Sequence, residues 1–235
     1  MNAIYLYGTI GDDWWDDDSM PAAKFVKLLN GFGGEPVDIF VNSPGGSVFD
    51  GSAIYTAIQR YEGHVRAFID GLAASAASYC ILSADEVLIS PSATMMIHDP
   101  FMYAQGNAEE LRSAADSLDK LAETIRSIYA AKSDMDEEEI KNLMSAETWF
   151  TAAEAIACGL ADGYCEEKAV SNSYNERLMA QFKHVPTGLS AVKKPTCNDE
   201  TTMAREGTGE QAPEAKKPAF TVVNGKVYQI GEKEC

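Results

Sequence analysis

A serine stands among small side chains in the stretch GLAASAAS, residues 71–78. A sharp turn from a strand into a helix leaves no room for large side chains, and it lifts a hydroxyl group into a cleft, as in a nucleophile elbow. In such a turn the backbone N–H of Ala76 would face the oxyanion that forms when Ser75 attacks a carbonyl. The stretch therefore indicates Ser75 as a nucleophile and Ala76 as an oxyanion donor. Plain helix packing is the alternative that these residue types leave open.

A second oxyanion donor is offered by the glycine-rich segment SPGGS, residues 43–47. Glycines permit positive φ angles and let the backbone approach a substrate closely, and this segment stands just before a predicted helix. We therefore predict that the N–H of Gly46 is the second donor. A simple turn would carry the same sequence and is the alternative.

A serine hydroxyl needs a base, and the chain has three histidines, at positions 64, 98 and 184. His64 lies in an EGH turn, and His184 lies beside a polar linker. His98 instead ends the apolar strand TMMIH, where a buried imidazole requires a polar partner. His98 is therefore the predicted base, and the alternative is a structural histidine whose ring is satisfied by a hydrogen bond.

The elements that position these residues follow from the pattern of apolar side chains. Short apolar strands alternate with helix signals over about the first 190 residues, which predicts an α/β domain. A turn is predicted at Asp70–Gly71. Strands are expected at residues 4–8, 37–41, 65–69, 86–90 and 94–98, and helices at 47–58, 73–82, 107–132 and 151–159.

The longest predicted helix carries the clearest signals. Asn107 with Glu110 has the spacing of a capping box, and Thr151 with Glu154 repeats this spacing at the last helix. Apolar side chains recur at intervals of four and three along one face of the long helix. They are Leu111, Ala115, Leu118, Ala122, Ile125 and Tyr129. A stripe of this kind is either internal core or the seam of an oligomer.

The composition changes near Val185. Residues 185–218 contain no aromatic side chain and are dominated by Pro, Gly, Lys, Glu and Thr, a composition that cannot offset the chain entropy of folding. We therefore divide the chain into a domain at 1–184, a disordered linker at 185–218 and a short C-terminal segment at 219–235. In that last segment, the dipeptide Asn224-Gly225 between alternating apolar residues predicts a β-hairpin.

Charge and cysteine content exclude several classes of function. With 36 acidic and 19 basic residues the chain carries a net charge of −17, which repels phosphate backbones, so nucleic acid is not an expected partner. Five cysteines without a CxxC pair predict neither a zinc site nor a complete disulfide framework. No segment approaches the ~18 apolar residues of a membrane span, and the N-terminus lacks a signal-peptide pattern. Neither membrane association nor secretion is expected, and the expected location is the cytoplasm.

Four segments, taken together, resemble a known family. NSPGGSV, GLAASAAS, MMIHDP and WFTAAEAIACGLAD are similar, in order and separation, to the signature segments of the Clp protease proteolytic subunit. The resemblance covers roughly residues 3–168. It implies the ββα superhelical fold shared with crotonases, a Ser-His-acid triad, polypeptide substrates and homo-oligomeric rings. It also implies that the long helix is a protruding handle that contacts an opposing ring.

The resemblance assigns roles residue by residue. Ser75 matches the family's nucleophile, His98 its general base, and Gly46 and Ala76 its oxyanion donors. The family's catalytic aspartate falls just before a Phe-Leu-Ser-Ala-x-Glu-Ala run, which reads TWFTAAEA here, so the matching residue is Glu147. Hydrolase triads accept Glu as the group that orients the histidine, although the extra methylene requires a shifted backbone. The alternative for Glu147 is an exposed carboxylate near a helix start.

The chemistry implied by this resemblance is that of a serine endopeptidase, which requires no metal, nucleotide or organic cofactor. Two other functions are left open by the sequence. A crotonase-type acyl-CoA enzyme also uses backbone oxyanion donors, but it needs no Ser-His pair. A catalytically inactive ring or scaffold protein with the same fold is favoured only by the substitution at Glu147.

The ends of the chain and the TWF variant resemble the Clp-like head-maturation proteases of tailed bacteriophages. The chain begins almost at its first strand, without the segment that lines the axial pore in the family, and it continues into a long polar tail. Dependence on an ATP-driven unfoldase is therefore not expected. A capsid or scaffold protein in the host cytoplasm is the expected substrate or partner.

Overall fold

The computed structural model describes residues 2–13, 18–165 and 181–186 with their side chains, and the backbone alone of 219–223 and 226–230. The predicted linker lies outside the described residues beyond Pro186. The chain divides into two units, residues 1–194 and 195–235. In the second unit, the backbone forms strands at Ala219–Val223 and Lys226–Ile230, which pair in antiparallel fashion. The two residues between these strands lie outside the described residues.

The first unit is the mixed α/β structure that the sequence predicts, and it is built on a parallel sheet. Its elements are, in chain order, β1 (Asn2–Ile10), α1 (Ala22–Gly31), β2 (Val37–Gly46), α2 (Val48–Arg60), β3 (Val65–Ala74), α3 (Ala76–Cys80), β4 (Glu86–Ile89), β5 (Thr94–Ile97), α4 (Ala108–Lys132), α5 (Glu137–Ser145), β6 (Thr148–Thr151), α6 (Ala152–Ala157) and β7 (Gly163–Tyr164). Five strands lie side by side in the order β1-β2-β3-β4-β7 and run parallel. β5 pairs with the second half of β3, and β6 pairs with β5.

Successive side chains of a strand point to opposite faces of the sheet, and one of these faces is buried beneath helices. Ile39 and Val41 of β2 and Ile69 of β3 are fully buried on this face. They belong to a single core cluster that includes Phe25 of α1 and Ile54 of α2. The sheet is thus a fixed platform for the residues at the ends of its strands.

Strand register brings the ends of three strands to one place. β5 runs parallel to the end of β3, with Ala74 opposite Met96, so the residues that follow these two strands emerge at the same edge of the sheet. β6 runs antiparallel to β5, with Ile97 opposite Thr148. The residue before β6, Glu147, therefore arrives where β5 ends.

The predicted turn at Asp70–Gly71 is wrong, because β3 continues to Ala74. The N–H of Leu72 donates to Asn42 Oδ1 at 3.1 Å, and the end of β3 pairs with β5. Helix α3 accordingly begins only at Ala76, later than predicted. Pairing with a neighbouring strand overrides the local turn signal of the dipeptide.

Helix α4 begins with the predicted capping box, in which Asn107 and Glu110 each accept the other's backbone N–H. Its apolar stripe is divided along its length. Ile125 and Tyr129 are buried in the core, whereas Leu111 is 44% exposed. The C-terminal part of the stripe is therefore internal core and not a seam. Neither α4 nor any other helix in the described part of the chain is both long and apolar enough to cross a membrane.

Candidate active site

Ser75 occupies the turn between β3 and α3 in a backbone conformation that L residues rarely adopt. Its φ is 54° and its ψ is −125°. Strain of this kind costs about 1–3 kcal/mol and persists where the surrounding structure enforces it. Here the Ser75 N–H donates to the Met96 carbonyl at 3.0 Å, and the Ser75 carbonyl accepts the N–H of Ser78 at 3.0 Å. The fold thus holds Ser75 in the strained strand-to-helix turn that the small side chains predict.

The PGG loop packs directly against the turn that holds Ser75. A Cβ added to Gly45 would lie 2.6 Å from the Ala74 carbonyl oxygen and 2.9 Å from the Ala76 nitrogen, closer than real side chains come. The loop backbone therefore rests directly on the elbow. Ala76 is the first residue of α3, and N–H groups in a first helical turn have no partner within the helix. Its N–H is thus suited to a ligand oxygen.

Gly46 lies at the end of β2, beside β1. An added Cβ would collide with the Ile10 carbonyl, and the φ of 150° also favours glycine. The N–H groups on either side are engaged, that of Gly45 with Ser43 Oγ at 3.1 Å and that of Ser47 with the Ile10 carbonyl at 2.8 Å. The Gly46 N–H therefore lies between two N–H groups that already have partners.

His98 follows the last residue of β5 and meets the serine. Its Nε2 lies 2.8 Å from Ser75 Oγ, which is hydrogen-bond distance. The imidazole packs against the rings of Phe101 and Phe182, with centroids 5.9 and 5.5 Å from its own. Burial lowers the pKa of His98 from its ordinary value of 6.5, although nearby carboxylates oppose the shift. The imidazole is therefore neutral at neutral pH and able to accept a proton.

Glu147 arrives at the site with a φ of 52° and is only 9% exposed, so it is not an exposed carboxylate. Its Oε2 accepts the N–H of Lys183 at 2.8 Å. Its Oε1 accepts the N–H of His184 at 2.6 Å and the indole N–H of Trp149 at 3.4 Å. Among the described residues, no hydrogen bond or ion pair joins Glu147 to His98. The carboxylate is directed at three N–H donors rather than at the imidazole.

The charge of Glu147 nevertheless reaches His98. Burial would raise the pKa of Glu147, but the N–H donors of Lys183, His184 and Trp149 outweigh it and hold this pKa below its usual 4.5. The carboxylate is therefore ionised at neutral pH. Its negative charge raises the pKa of His98 and offsets part of the effect of burial.

Gly46, Ser75, Ala76, His98 and Glu147 all lie within a segment that matches a known family. The sequence model of the Clp protease family matches residues 12–168, well over half of the chain. The chain belongs to the Clp protease family. An ATP-dependent Clp protease proteolytic subunit of Bacteroides thetaiotaomicron is 32% identical to it over 164 residues, which cover 69% of this chain and 74% of the relative. A protein of the same description from Porphyromonas gingivalis is 30% identical over 169 residues, which cover 71% of this chain and 75% of the relative.

As a Clp protease, the chain is a serine peptidase. Clp proteases act on polypeptide substrates and form oligomeric rings. The family therefore selects the peptidase over the crotonase-type acyl-CoA enzyme that the sequence leaves open. Within the described ranges 2–13, 18–165 and 181–186, no group of three or more His, Cys, Asp or Glu side chains is arranged to hold a metal ion.

Residues 181–186 of this Clp protease return to the site, which the sequence motifs do not predict. Phe182 is 7% exposed, and it forms a small apolar cluster with Leu72, Ala74 and Met96. Its ring also meets the Trp149 ring edge-on, with centroids 5.8 Å apart. An aromatic residue just before an aromatic-free stretch is the one signal that marks this contact.

Two polar residues ahead of the glycines also have roles that their residue types alone do not reveal. Asn42 is 5% exposed and Ser43 is fully buried. Asn42 Oδ1 accepts the N–H of Leu72 at 3.1 Å, and Ser43 Oγ accepts the N–H of Gly45 at 3.1 Å. The first bond ties this segment to β3, and the second holds the turn of the loop itself. Polar side chains at the end of an otherwise apolar strand are the signal that could have found them.

Proposed function

We propose that this Clp protease is a serine endopeptidase with Ser75 as nucleophile and His98 as general base. The observation that carries the proposal is the 2.8 Å distance between Ser75 Oγ and His98 Nε2, at a strained turn of the kind that exposes nucleophiles. A purely structural histidine would also need a polar partner. It would not explain why that partner, Ser75, is held in a strained backbone conformation with positive φ. The pairing of the two features favours catalysis.

In the proposed reaction, Ser75 Oγ attacks the scissile carbonyl carbon while His98 Nε2 takes the hydroxyl proton. The resulting oxyanion is stabilised by the N–H groups of Ala76 and Gly46. The tetrahedral intermediate expels the amine, which takes the proton from His98, and leaves an acyl-enzyme. Water then attacks the ester with His98 again as base, and Ser75 is regenerated. The charge of Glu147 stabilises the imidazolium in both steps.

The loop geometry supports Gly46 as an oxyanion donor. Gly45 packs on the elbow, and its own N–H is engaged by Ser43. Since the Ser47 N–H is also engaged, with the Ile10 carbonyl, the Gly46 N–H is the donor that we assign to the oxyanion. Together with the first N–H of α3, it supplies two backbone donors, which is the usual number in an oxyanion hole.

The experiment for this function is hydrolysis of a fluorogenic peptide by the purified chain, with and without ATP. Because a Ser-His pair with backbone donors needs no nucleotide, we expect the same turnover in both conditions. A requirement for ATP on a short peptide would contradict the nucleotide-free mechanism. No turnover in either condition, on a panel of peptides, would instead favour the inactive ring or scaffold protein.

Replacing Glu147 by glutamine is expected to lower kcat by roughly 10–100-fold with little change in KM, because imidazolium stabilisation is lost and substrate contacts are not. The pH profile carries a second signature. Because burial lowers the pKa of His98 from its ordinary 6.5, the fall of kcat/KM on the acid side of the profile (the acid limb) is expected below pH 6.5. Removing the negative charge of Glu147 should lower the His98 pKa further. The limb should therefore move to lower pH in Glu147→Gln.

The matched control for this variant is Glu147→Asp, which keeps the charge. Its acid limb should stay close to that of the wild type. A Glu147→Gln enzyme with unchanged kcat and an unshifted limb would remove Glu147 from the mechanism and leave a Ser75–His98 dyad.

We also propose that the chain assembles into a homo-oligomeric ring and that the exposed part of α4 is the handle at an interface. The helix has 25 residues and is therefore about 38 Å long at ~1.5 Å per residue, and only its C-terminal part is buried. Leu111→Glu should shift the wild-type oligomer to smaller species in sedimentation velocity. Ser113→Glu, which adds the same charge on another face of α4, should not. A stable, active wild-type monomer would contradict the proposal.

A narrower proposal concerns the substrate, for which we infer a capsid or scaffold protein. It is supported by the resemblance of the TWF variant and of the acidic domain with its long polar tail to head-maturation proteases. The test is incubation of the wild type and of Ser75→Ala with purified capsid and scaffold proteins of tailed bacteriophages. Mass spectrometry should find cleavage by the wild type alone, and intact proteins in both samples would contradict this substrate class.

A further inference from the structure

Two buried hydroxyl groups form a chain that ends on the carbonyl of Ser75. Tyr129 OH lies 2.6 Å from Ser78 Oγ, and Ser78 Oγ lies 2.7 Å from the Ser75 carbonyl oxygen. A carbonyl oxygen only accepts, so Ser78 gives its single hydroxyl proton to Ser75. Tyr129 must then donate to Ser78. The direction of both bonds is fixed by this count of protons.

The two hydroxyl groups are buried away from water. Ser78 is 0% exposed and Tyr129 is 1% exposed, and burial raises the pKa of the Tyr129 phenol far above its usual value. The phenol therefore remains a donor throughout the pH range of the enzyme. Buried hydroxyl networks of this kind are rigid when every member is satisfied.

The carbonyl at the end of the chain belongs to the peptide bond that carries the Ala76 N–H. In a planar trans peptide, the C=O and the N–H point in opposite directions. Any rotation of this plane, by a change in ψ of Ser75 and φ of Ala76, turns both groups together. The Ser75 carbonyl is held twice by one residue, because it accepts both the N–H and the hydroxyl of Ser78. Holding the carbonyl therefore aims the N–H.

We propose that Ser78 and Tyr129 are positioning residues that hold the Ala76 N–H toward the oxyanion, an inference that rests on the proposed serine-peptidase mechanism. Ser75 is strained, with a φ of 54°, and rotation of this peptide plane would relieve strain if the plane were not held. Neither residue touches the substrate. Their effect should appear in the transition state, where the oxyanion exists, and not in substrate binding.

The test compares kcat, KM and inhibitor affinity in Ser78→Ala, Tyr129→Phe and the double variant. Complete removal of an oxyanion donor costs about 10²–10³ in kcat, so a misaimed donor in Ser78→Ala should cost about tenfold, with KM unchanged. The inhibition constant of a peptide boronate, which mimics the tetrahedral intermediate, should rise by the same factor. Tyr129→Phe leaves the Ser78–Ser75 bond in place and should cost only about threefold.

The double variant separates positioning from stability. Ser78→Ala leaves the Tyr129 hydroxyl buried without a partner, which destabilises the fold. Removing that hydroxyl as well, in Ser78→Ala with Tyr129→Phe, should recover the melting temperature. The kcat of the double variant should nevertheless remain about tenfold low, because the carbonyl is still not held by a hydroxyl. Recovery of kcat together with the melting temperature would overturn the inference.

Tyr79→Phe is the matched control. Tyr79 is 2% exposed, and its hydroxyl donates to the Val48 carbonyl at 2.8 Å rather than into the Ser78 chain. It should lose stability like the other variants and keep its kcat and boronate affinity. A normal kcat in Ser78→Ala of an active enzyme would overturn this inference alone. A wild type without Ser75-dependent turnover would overturn the proposed function as well.

Discussion

Replacing Ser75 by alanine is expected to abolish peptide hydrolysis, with kcat falling on the order of 10⁵-fold or more. The hydroxyl is the only group removed, and no other side chain in the described part of the site is placed to attack in its stead. Because the change leaves almost no cavity and alanine tolerates φ of 54° no worse than serine, the free energy of unfolding should change by less than about 1 kcal/mol. Turnover of a fluorogenic peptide and a thermal melt give both quantities.

Ser90→Ala is the matched control for this substitution. Ser90 lies after β4, and its hydroxyl meets Ser92 at 3.1 Å on the surface. The variant should hydrolyse the peptide at the wild-type rate. A Ser75→Ala enzyme that retains wild-type turnover would show that the nucleophile lies elsewhere.

His98→Ala should be about as damaging as Ser75→Ala, because the two residues act as a unit. Without the imidazole, no group within hydrogen-bond distance takes the proton from Ser75 Oγ, whose described partner is His98 Nε2 at 2.8 Å. The double variant Ser75→Ala with His98→Ala should be no slower than either single variant, since residues of one catalytic unit are strongly non-additive. Single-turnover kinetics on an activated ester measures all three.

The control for His98 is another histidine. The imidazole of His64 is 57% exposed and lies 3.3 Å from Asp85, away from the serine. His64→Ala should leave kcat unchanged. Equal losses in His64→Ala and His98→Ala would show that the loss reflects the fold rather than a general base.

The chemistry of the elbow could be predicted from sequence because it is encoded by side-chain size. The glycine at position 45 is required by its close approach to the backbone of Ala74 and Ala76, so this steric need appears directly in the residue type. His98 could be identified because it is a polar residue at the end of an apolar strand. Both signals are local, and each lies within a few residues of the atom that it positions.

The turn at Asp70–Gly71 was a wrong prediction for a physical reason. The dipeptide has a local preference for a turn. The strand β3 nevertheless continues through it, because the end of β3 pairs with β5, more than twenty residues later in the chain. Asp70 also accepts a hydrogen bond from Tyr7 OH at 2.7 Å, which holds it in the sheet. Long-range pairing of this kind is not encoded in the dipeptide itself.

The surroundings of Glu147 could not be predicted at all. Its two strong partners are backbone N–H groups, which every residue except proline carries, and they lie 36 and 37 residues away along the chain. No side-chain pattern marks such a contact. The sequence therefore places Glu147 at the site by its position before TWF but does not reveal where its oxygens point.

Labelling with a fluorophosphonate tests the central claim most directly, because phosphonylation requires a serine that is activated by a base and does not depend on knowing the substrate. The wild type should take up one label per chain, with displacement of fluoride, and digestion should locate it on the peptide that contains Ser75. Ser75→Ala should take up none, and His98→Ala should react far more slowly. A label on a different serine, or equal labelling of Ser75→Ala, would contradict the assignment of Ser75 as the nucleophile.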